Sequence, residues 1–283
     1  MNSSDIDKVQ PIGNGATSKI YKIIDKKTQE IYAAKIIKKT KFYYKPSLNR
    51  VFFKELLAMR VLSHPNIPIY YETYETNDSI VIVEELLDGM YFEGMSHFYN
   101  NKNLAQIKLE NTSNSSSSSE NVVPLINTMS YQEKICFSRE LIDVTQYLQS
   151  KCFLHRDISP DNIMYVRINN QSNHWGKNTG ENIFRSRFKL KLIDFGSGEW
   201  ANCLVINYFA GTACYVDPKM IESVKADKWV YYGPETDGYS VGTILYYLFV
   251  GEPAYTMPYD KSRFVYKEDL LELNLNKKID FDE

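Results

Sequence analysis

The sequence predicts an α+β fold in two parts, a five-stranded sheet carrying one helix followed by a mainly helical region. Three observations point there. Five runs rich in β-branched and aromatic residues lie before residue 87, each bounded by turn residues. Two longer stretches, Leu48–Leu62 and Tyr131–Ser150, space their apolar residues at a helical period. A chain of 283 residues is also long enough for two lobes and a large buried core.

Composition narrows the classes of function. Hydrophobic residues make up 43% and charged residues 24% of the chain, ordinary proportions for a globular protein. A formal net charge of -2 gives no electrostatic reason to expect nucleic acid or an anionic membrane as a partner. The longest apolar run, Val241–Val250, is about half of a membrane span. The opening MNSSDIDKVQ is polar, with no signal segment and no Gly at position 2 for myristoylation. Cys136, Cys152, Cys203 and Cys214 fall in no metal-ligand spacing and read as reduced thiols. The expectation is a soluble cytoplasmic protein, the nucleus remaining open, with no nucleic-acid and no membrane partner.

Taken in order, Val9–Ile12, Lys19–Ile24 and Ile31–Ile37 read as strands, with turns at Gly13-Asn14-Gly15 and Asp25–Thr28. A glycine turn serves a plain hairpin or lets the backbone close over a ligand. Lys35 lies inside the apolar run Ala33–Ile37. It either faces solvent or, if it points inward, needs a counter-charge. Leu48–Leu62 places Val51, Phe52, Leu56, Met59 and Leu62 at helical spacing and carries Glu55, nine residues before His64-Pro65-Asn66. Tyr70–Thr76 and Ser79–Leu86 complete the five strands.

Two segments break the pattern. The region of about 93–127 contains NTSNSSSSSEN, and about 167–187 is Asn-rich around Trp175. Both read as exposed inserts with little to bury. Between them, Tyr131–Ser150 is a long amphipathic helix leading into FLHRDISPDNIMY, which packs His, Arg, two Asp, Ser and Asn into residues 155–162. An apolar strand ending in Asp194-Phe195-Gly196 follows.

Four signals in this order, IGNGATSKI, YAAKII, HRDISPDN and the Asp-Phe-Gly strand, make the chain resemble the eukaryotic protein kinase family, of a divergent Ser/Thr type. The resemblance implies a bilobal fold, with residues 1–87 as the N-lobe and 88–283 as the C-lobe. It implies ATP and Mg²⁺ as cofactors and a protein as substrate. Gly13 and Gly15 would close over the phosphates, with Ser18 where the family has a third glycine. Ile12, Ile20, Ala33 and Met164 would line the base site. Lys35, paired with Glu55, would hold the α- and β-phosphates. Val83 would be the gatekeeper, Glu84 and Leu86 would offer hinge backbone groups to adenine, and Asp88 would reach a ribose hydroxyl. Asp157 would act on the substrate hydroxyl, while Asn162 and Asp194 would hold the metal. His155 and Phe195 would stack under Met59 and Tyr70 as a packing column.

Further on, Gly211-Thr212-Ala213-Cys214-Tyr215 resembles the peptide-docking segment of Ser/Thr kinases, with Thr212 bonding near Asp157. Tyr208 is a phosphorylation site suggested by its place before Gly211, and Arg156 the cation that could pair with such a phosphate. Asp237 would cap the next helix and tie down the catalytic loop. Two departures stand out. Ser159 replaces the Lys that usually reaches the γ-phosphate. Lys219, in Asp217-Pro218-Lys219, replaces a Glu whose usual Arg partner lies in the last helices of the family's lobe; the expectation is a lobe truncated after the region following the central C-lobe helix, with a helix near 267–273 and without those last helices. That ending would leave core surface for a regulatory partner or second chain to cover. These departures keep open an alternative, a weakly active or inactive kinase-fold scaffold.

Overall fold

Strands that alternate apolar and polar residues and are joined by tight turns pair with their sequence neighbours, and the first part of the chain does so. The computed structural model describes residues 6–14, 18–44, 47–92, 129–167, 188–206, 210–225, 228–255 and 274. Gly15, Trp175, Tyr208, the region 93–127, nearly all of the second insert and the helix expected near 267–273 lie outside the described residues.

Strands β1 (Ile6–Asn14), β2 (Ser18–Asp25), β3 (Ile31–Lys38), β4 (Tyr70–Glu75) and β5 (Ser79–Glu84) form one antiparallel sheet in the order β1-β2-β3-β5-β4. The β2–β3 turn is held by Asp25, whose Oδ1 accepts from the Lys27 N–H at 2.7 Å. After β3 come a short helix α1 (Thr40–Tyr44), which the sequence did not announce, and α2 (Ser47–Val61). Phe52, Ala58, Met59 and Leu62 are the buried face of α2 and its end, whereas Val51, expected inside, is exposed. The buried stripe is thus rotated from the expected one, and it carries Glu55 inward with it.

The second part begins with β6 (Gly89–Tyr91), which pairs with β8 (Ile163–Arg167), itself paired with β9 (Phe188–Leu192). A Cβ on Gly89 would sit 2.5 Å from the Tyr165 carbonyl oxygen, so only glycine allows this approach. Helix α3 (Tyr131–Ser150) starts with a capping box in which the Ser130 hydroxyl and the Glu133 carboxylate satisfy each other's backbone N–H groups. It buries Phe137, Leu141, Val144 and Leu148 against α5 (Pro234–Val250), which contributes Val241, Ile244, Tyr247 and Leu248 to the same core. That core also takes Ala58, Leu62 and Ile67 from the first part, so one apolar mass ties α2 to the helical layer.

Short strands β7 (Phe153–Leu154) and β10 (Glu199–Trp200) pair beside the loop 155–162, and β11 (Leu204–Ile206) pairs with β12 (Val230–Tyr232). Helix α4 (Pro218–Lys225) packs Met220 and Ile221 against Leu154, Ile206 and Tyr232. The result is the bilobal α+β arrangement expected, with a cleft between the sheet and the helical layer. No described helix is long and apolar enough to cross a membrane. All four cysteines are free thiols.

Candidate active site

A cavity of about 900 Å³ occupies the cleft. Ile12, Gly13, Ser18, Ile20, Ala33 and Lys35 form its roof, Glu84 to Gly89 its edge, and Asp161, Asn162, Met164 and Asp194 its floor. Glu55, Met59 and Phe195 close the back. All the expected nucleotide-site residues that are described line it except Val83, and Asp88 lines it too.

Val83 is a correction. Cross-strand partners share a face of the sheet, and the register sets Ala34 opposite Val83 and Ala33 opposite Glu84. Val83 therefore packs with Ile23, Tyr32, Ala34 and Val81 on the face away from the cavity. Glu84 instead stands on the cavity face beside Ala33 and Lys35. Glu84 and Leu86, the expected hinge residues, both line the cavity, and Glu84 does so with its side chain. The next N–H, that of Glu85, already donates to the Ile69 carbonyl at 2.8 Å. Alternation could not separate the two positions, since Ile80 to Val83 is apolar at both parities.

Lys35 donates to Glu55 Oε1, and both side chains are largely buried. Burial pulls the Lys35 ammonium down, but Glu55, Asp194 and Glu84 together hold it above its ordinary value. It is a permanent cation at neutral pH. Glu84 behaves in the opposite sense. Burial, reinforced by Glu55 and Glu85 and opposed by Lys35, pushes its carboxyl up to about 7.

The floor is held by a hydrogen-bonded frame. The Asn162 amide donates to the Asp157 carbonyl at 2.8 Å, and the Ile193 N–H donates to the Asn162 carbonyl at 2.9 Å. His155 Nε2 lies 3.3 Å from the Ile193 carbonyl, and the His155 ring packs 5.1 Å from that of Phe195. Asp157 does not line the cavity. It lies beside the floor, where its Oδ1 accepts from the Thr212 hydroxyl at 2.8 Å as expected. Arg156 and Asp194 both adopt positive φ, 70° and 61°. Such strain persists only where surroundings enforce it. At Arg156 the enforcing group is Asp237, which accepts from the His155 and Arg156 N–H groups at 2.8 and 2.9 Å and from the Tyr232 hydroxyl at 2.8 Å. Asp237 is not the helix cap, however. α5 starts earlier, with Gly233 as its N-cap.

The donor set fits a hard divalent cation. The Asn162 amide nitrogen is turned to Asp157, which leaves its oxygen for the cavity, and Asp194 Oδ1 accepts the Gly196 N–H at 3.2 Å, which leaves Oδ2.

Three polar links escaped sequence reading. Lys54, next to Glu55 on α2, pairs with Glu199 of β10, and Arg50 stands 3.7 Å from the same carboxylate. Lys191 of β9 pairs with Glu85 at 2.6 Å. Asn66 donates to Glu140 at 3.0 Å and to the Leu190 carbonyl at 2.8 Å. Only Lys191 left a trace, as a cation inside an apolar strand, the same signal that marked Lys35.

The departures also have places. Ser159 is wholly buried, and its hydroxyl has no hydrogen-bond partner among the described residues. Lys219, which stands where the family has a Glu, bonds Glu235 at 3.0 Å and lies 3.5 Å from Asp217.

Comparison with known proteins places the chain. The protein kinase domain model matches residues 6–282. Calcium-dependent protein kinase 5 of Plasmodium berghei is 26% identical over 263 residues, 90% of this chain and 37% of that protein. The probable serine/threonine-protein kinase fhkE of Dictyostelium discoideum is 27% identical over 275 residues, 95% of this chain and 31% of that protein. Human calcium/calmodulin-dependent protein kinase type IV is 27% identical over 266 residues, 92% and 44% respectively. The chain thus spans less than half the length of these relatives.

Proposed function

The chain belongs to the protein kinase family, and from that premise we propose that it transfers the γ-phosphoryl group of Mg-ATP to a Ser or Thr hydroxyl of a protein. The observation that carries this is the convergence at one end of the cavity of a charged Lys35 clamped by Glu55, with Asn162 and Asp194, while Asp157 is held alongside by Thr212. Lys35 binds phosphate oxygens as a fixed cation. Asn162 and Asp194 would hold Mg²⁺, which supplies charge neutralisation on the phosphates. Asp157 orients the attacking hydroxyl and takes its proton. The apolar slot of Ile20, Ala33, Met164 and Leu86 takes the base. The order Gly211-Thr212 to Tyr215, together with relatives named as serine/threonine kinases, supports a Ser/Thr acceptor.

One observation favours a second reading, a kinase-fold scaffold with little transfer. Ser159, sealed in the core, supplies no cation where the family has one. Incubating the purified chain with radiolabelled Mg-ATP and a generic basic protein separates the two. Labelling that is lost in Lys35→Met supports transfer, and ATP binding without labelling supports the scaffold.

A further inference from the structure

The inner end of the cavity carries an acid that phosphoryl transfer does not require. Glu84 closes β5 opposite Ala33 of β3 and Tyr70 of β4, and its side chain lines the cavity between the apolar slot and Lys35. We propose that the Glu84 carboxyl reads the amino edge of the nucleotide base, so that the site selects a 6-aminopurine over a 6-oxopurine. This rests on the nucleotide-binding reading given above.

The argument begins with orientation. The phosphates belong with Lys35, Asn162 and Asp194, so the base occupies the apolar slot and its polar edge faces the end of β5. A carboxylate only accepts hydrogen bonds. A 6-amino group offers it a donor, whereas a 6-oxo group in the same place sets acceptor against acceptor, and the N1–H that accompanies it lies on the neighbouring edge of the ring. Glu84 is also not needed as the counter-ion of Lys35, which is bonded to Glu55. The charged and titratable groups around Glu84 are Lys35 on β3, Glu55 on α2, Glu85 next along the chain, and Tyr70 across on β4, whose hydroxyl donates to Thr73. Burial among them leaves the Glu84 carboxyl exchanging its proton at about 7. Above that pH it is an acceptor and selects the amino group. Below it the neutral carboxyl also donates, and the barrier to a 6-oxo base falls.

The test is displacement of a fluorescent nucleotide from the full chain with Mg²⁺ by ATP or by inosine triphosphate, which carries a 6-oxo group and an N1–H where ATP carries a 6-amino group and an N1 acceptor. The wild type should prefer ATP by about tenfold or more near pH 8, and several-fold less near pH 6. Taking the ratio cancels titration of the phosphates. Glu84→Gln, whose amide both donates and accepts, should bring the ratio to within about threefold of unity and remove its pH trend. Equal binding of the two nucleotides by the wild type near pH 8, or a full preference kept by Glu84→Gln, overturns the role of Glu84 while nucleotide binding stands. Failure of both nucleotides to bind overturns the proposed function itself. The wild-type pH series decides the matter even if the variant does not fold.

Discussion

Replacing Asp237 by Asn tests whether one buried carboxylate holds the loop that presents Asp157. In the wild type it accepts three bonds of 2.8 to 2.9 Å, two from backbone N–H groups and one from the Tyr232 hydroxyl. Asp237 and Arg156 are each 3% exposed and His155 is fully buried, so water cannot replace a lost partner without opening the loop. A buried donor left unpaired costs about 1–3 kcal/mol. The asparagine oxygen can keep one or two donors, but its NH₂ must face another, so the expected loss is about 2–4 kcal/mol. That is a large share of a native stability of about 5–15 kcal/mol. Urea unfolding followed by fluorescence should show a midpoint lower by about 1 M with the slope unchanged. Phosphoryl transfer should fall further than the folded fraction does, because Arg156 would relax from its positive φ and shift Asp157. Tyr232→Phe removes only one donor and should cost about 1 kcal/mol. An Asn variant that unfolds within about 0.2 M of the wild type would refute the reasoning, because a carboxylate serving three buried donors cannot be replaced without loss.

Other consequences follow from the same geometry. Asp157→Asn should abolish transfer while leaving nucleotide binding partly intact, and wild-type turnover in that variant would remove Asp157 from its proposed role. Thr212→Val deletes the 2.8 Å bond to Asp157 and should lower kcat about five- to tenfold, with KM for ATP unchanged; a KM effect alone would point to a different task. Glu199→Gln breaks the bridge that anchors Lys54 on α2 and should cost about 1–3 kcal/mol in thermal stability together with transfer activity, since α2 also carries Glu55. Loss of stability with transfer intact would show that the bridge does not position α2. Glu84 has its folded-state pKa raised from 4.5 to about 7. The native state therefore binds the proton more tightly than the unfolded chain, and charged Glu84 is a burden that grows between those pH values. Glu84→Gln should gain on the wild type by roughly 3 kcal/mol as pH rises from about 4.5 to about 7, and parallel curves in paired denaturation series would contradict this.

The fold was largely legible because hairpin turns and alternation mark β1 to β5, and the helical period marks α2 and α3. Lys35 and Glu55 were legible for a physical reason, since a cation inside an apolar strand demands an anion and α2 offered one at the right place. The limits were physical too. Ser79–Glu84 carries apolar residues on both faces, so nothing in its pattern could say whether Val83 or Glu84 faces the cleft; only pairing with Ala34 and Ala33 decides. β6 is three residues long and exists because Gly89 lets it press against β8, which no local pattern reveals. The Lys191–Glu85 and Lys54–Glu199 pairs join residues 106 and 145 positions apart, a separation that local spacing cannot bridge. Asp237 was legible as a tether but misplaced as a cap, because Pro234 at the first helical position starts α5 earlier than the acid suggests.

These links divide the site into two bodies of unequal independence. Asp157, Asn162 and Asp194 are locked to one another and to α5 through Asp237, His155 and Ile193, so the floor is organised before any ligand arrives. Lys35 and Glu55 belong to the sheet and α2, which reach the floor through the shared core and three polar bridges, Lys54–Glu199, Asn66–Leu190 and Lys191–Glu85. What can vary is therefore the setting of the roof over the floor. The two departures from the family pattern avoid those bridges: Ser159 is sealed beneath the loop, and Lys219 pairs with a largely exposed Glu235. A change at either position should alter transfer locally and leave the closure of the cleft as it is, whereas a change at Glu199, Asn66 or Lys191 should loosen the closure without touching a group that meets the substrate.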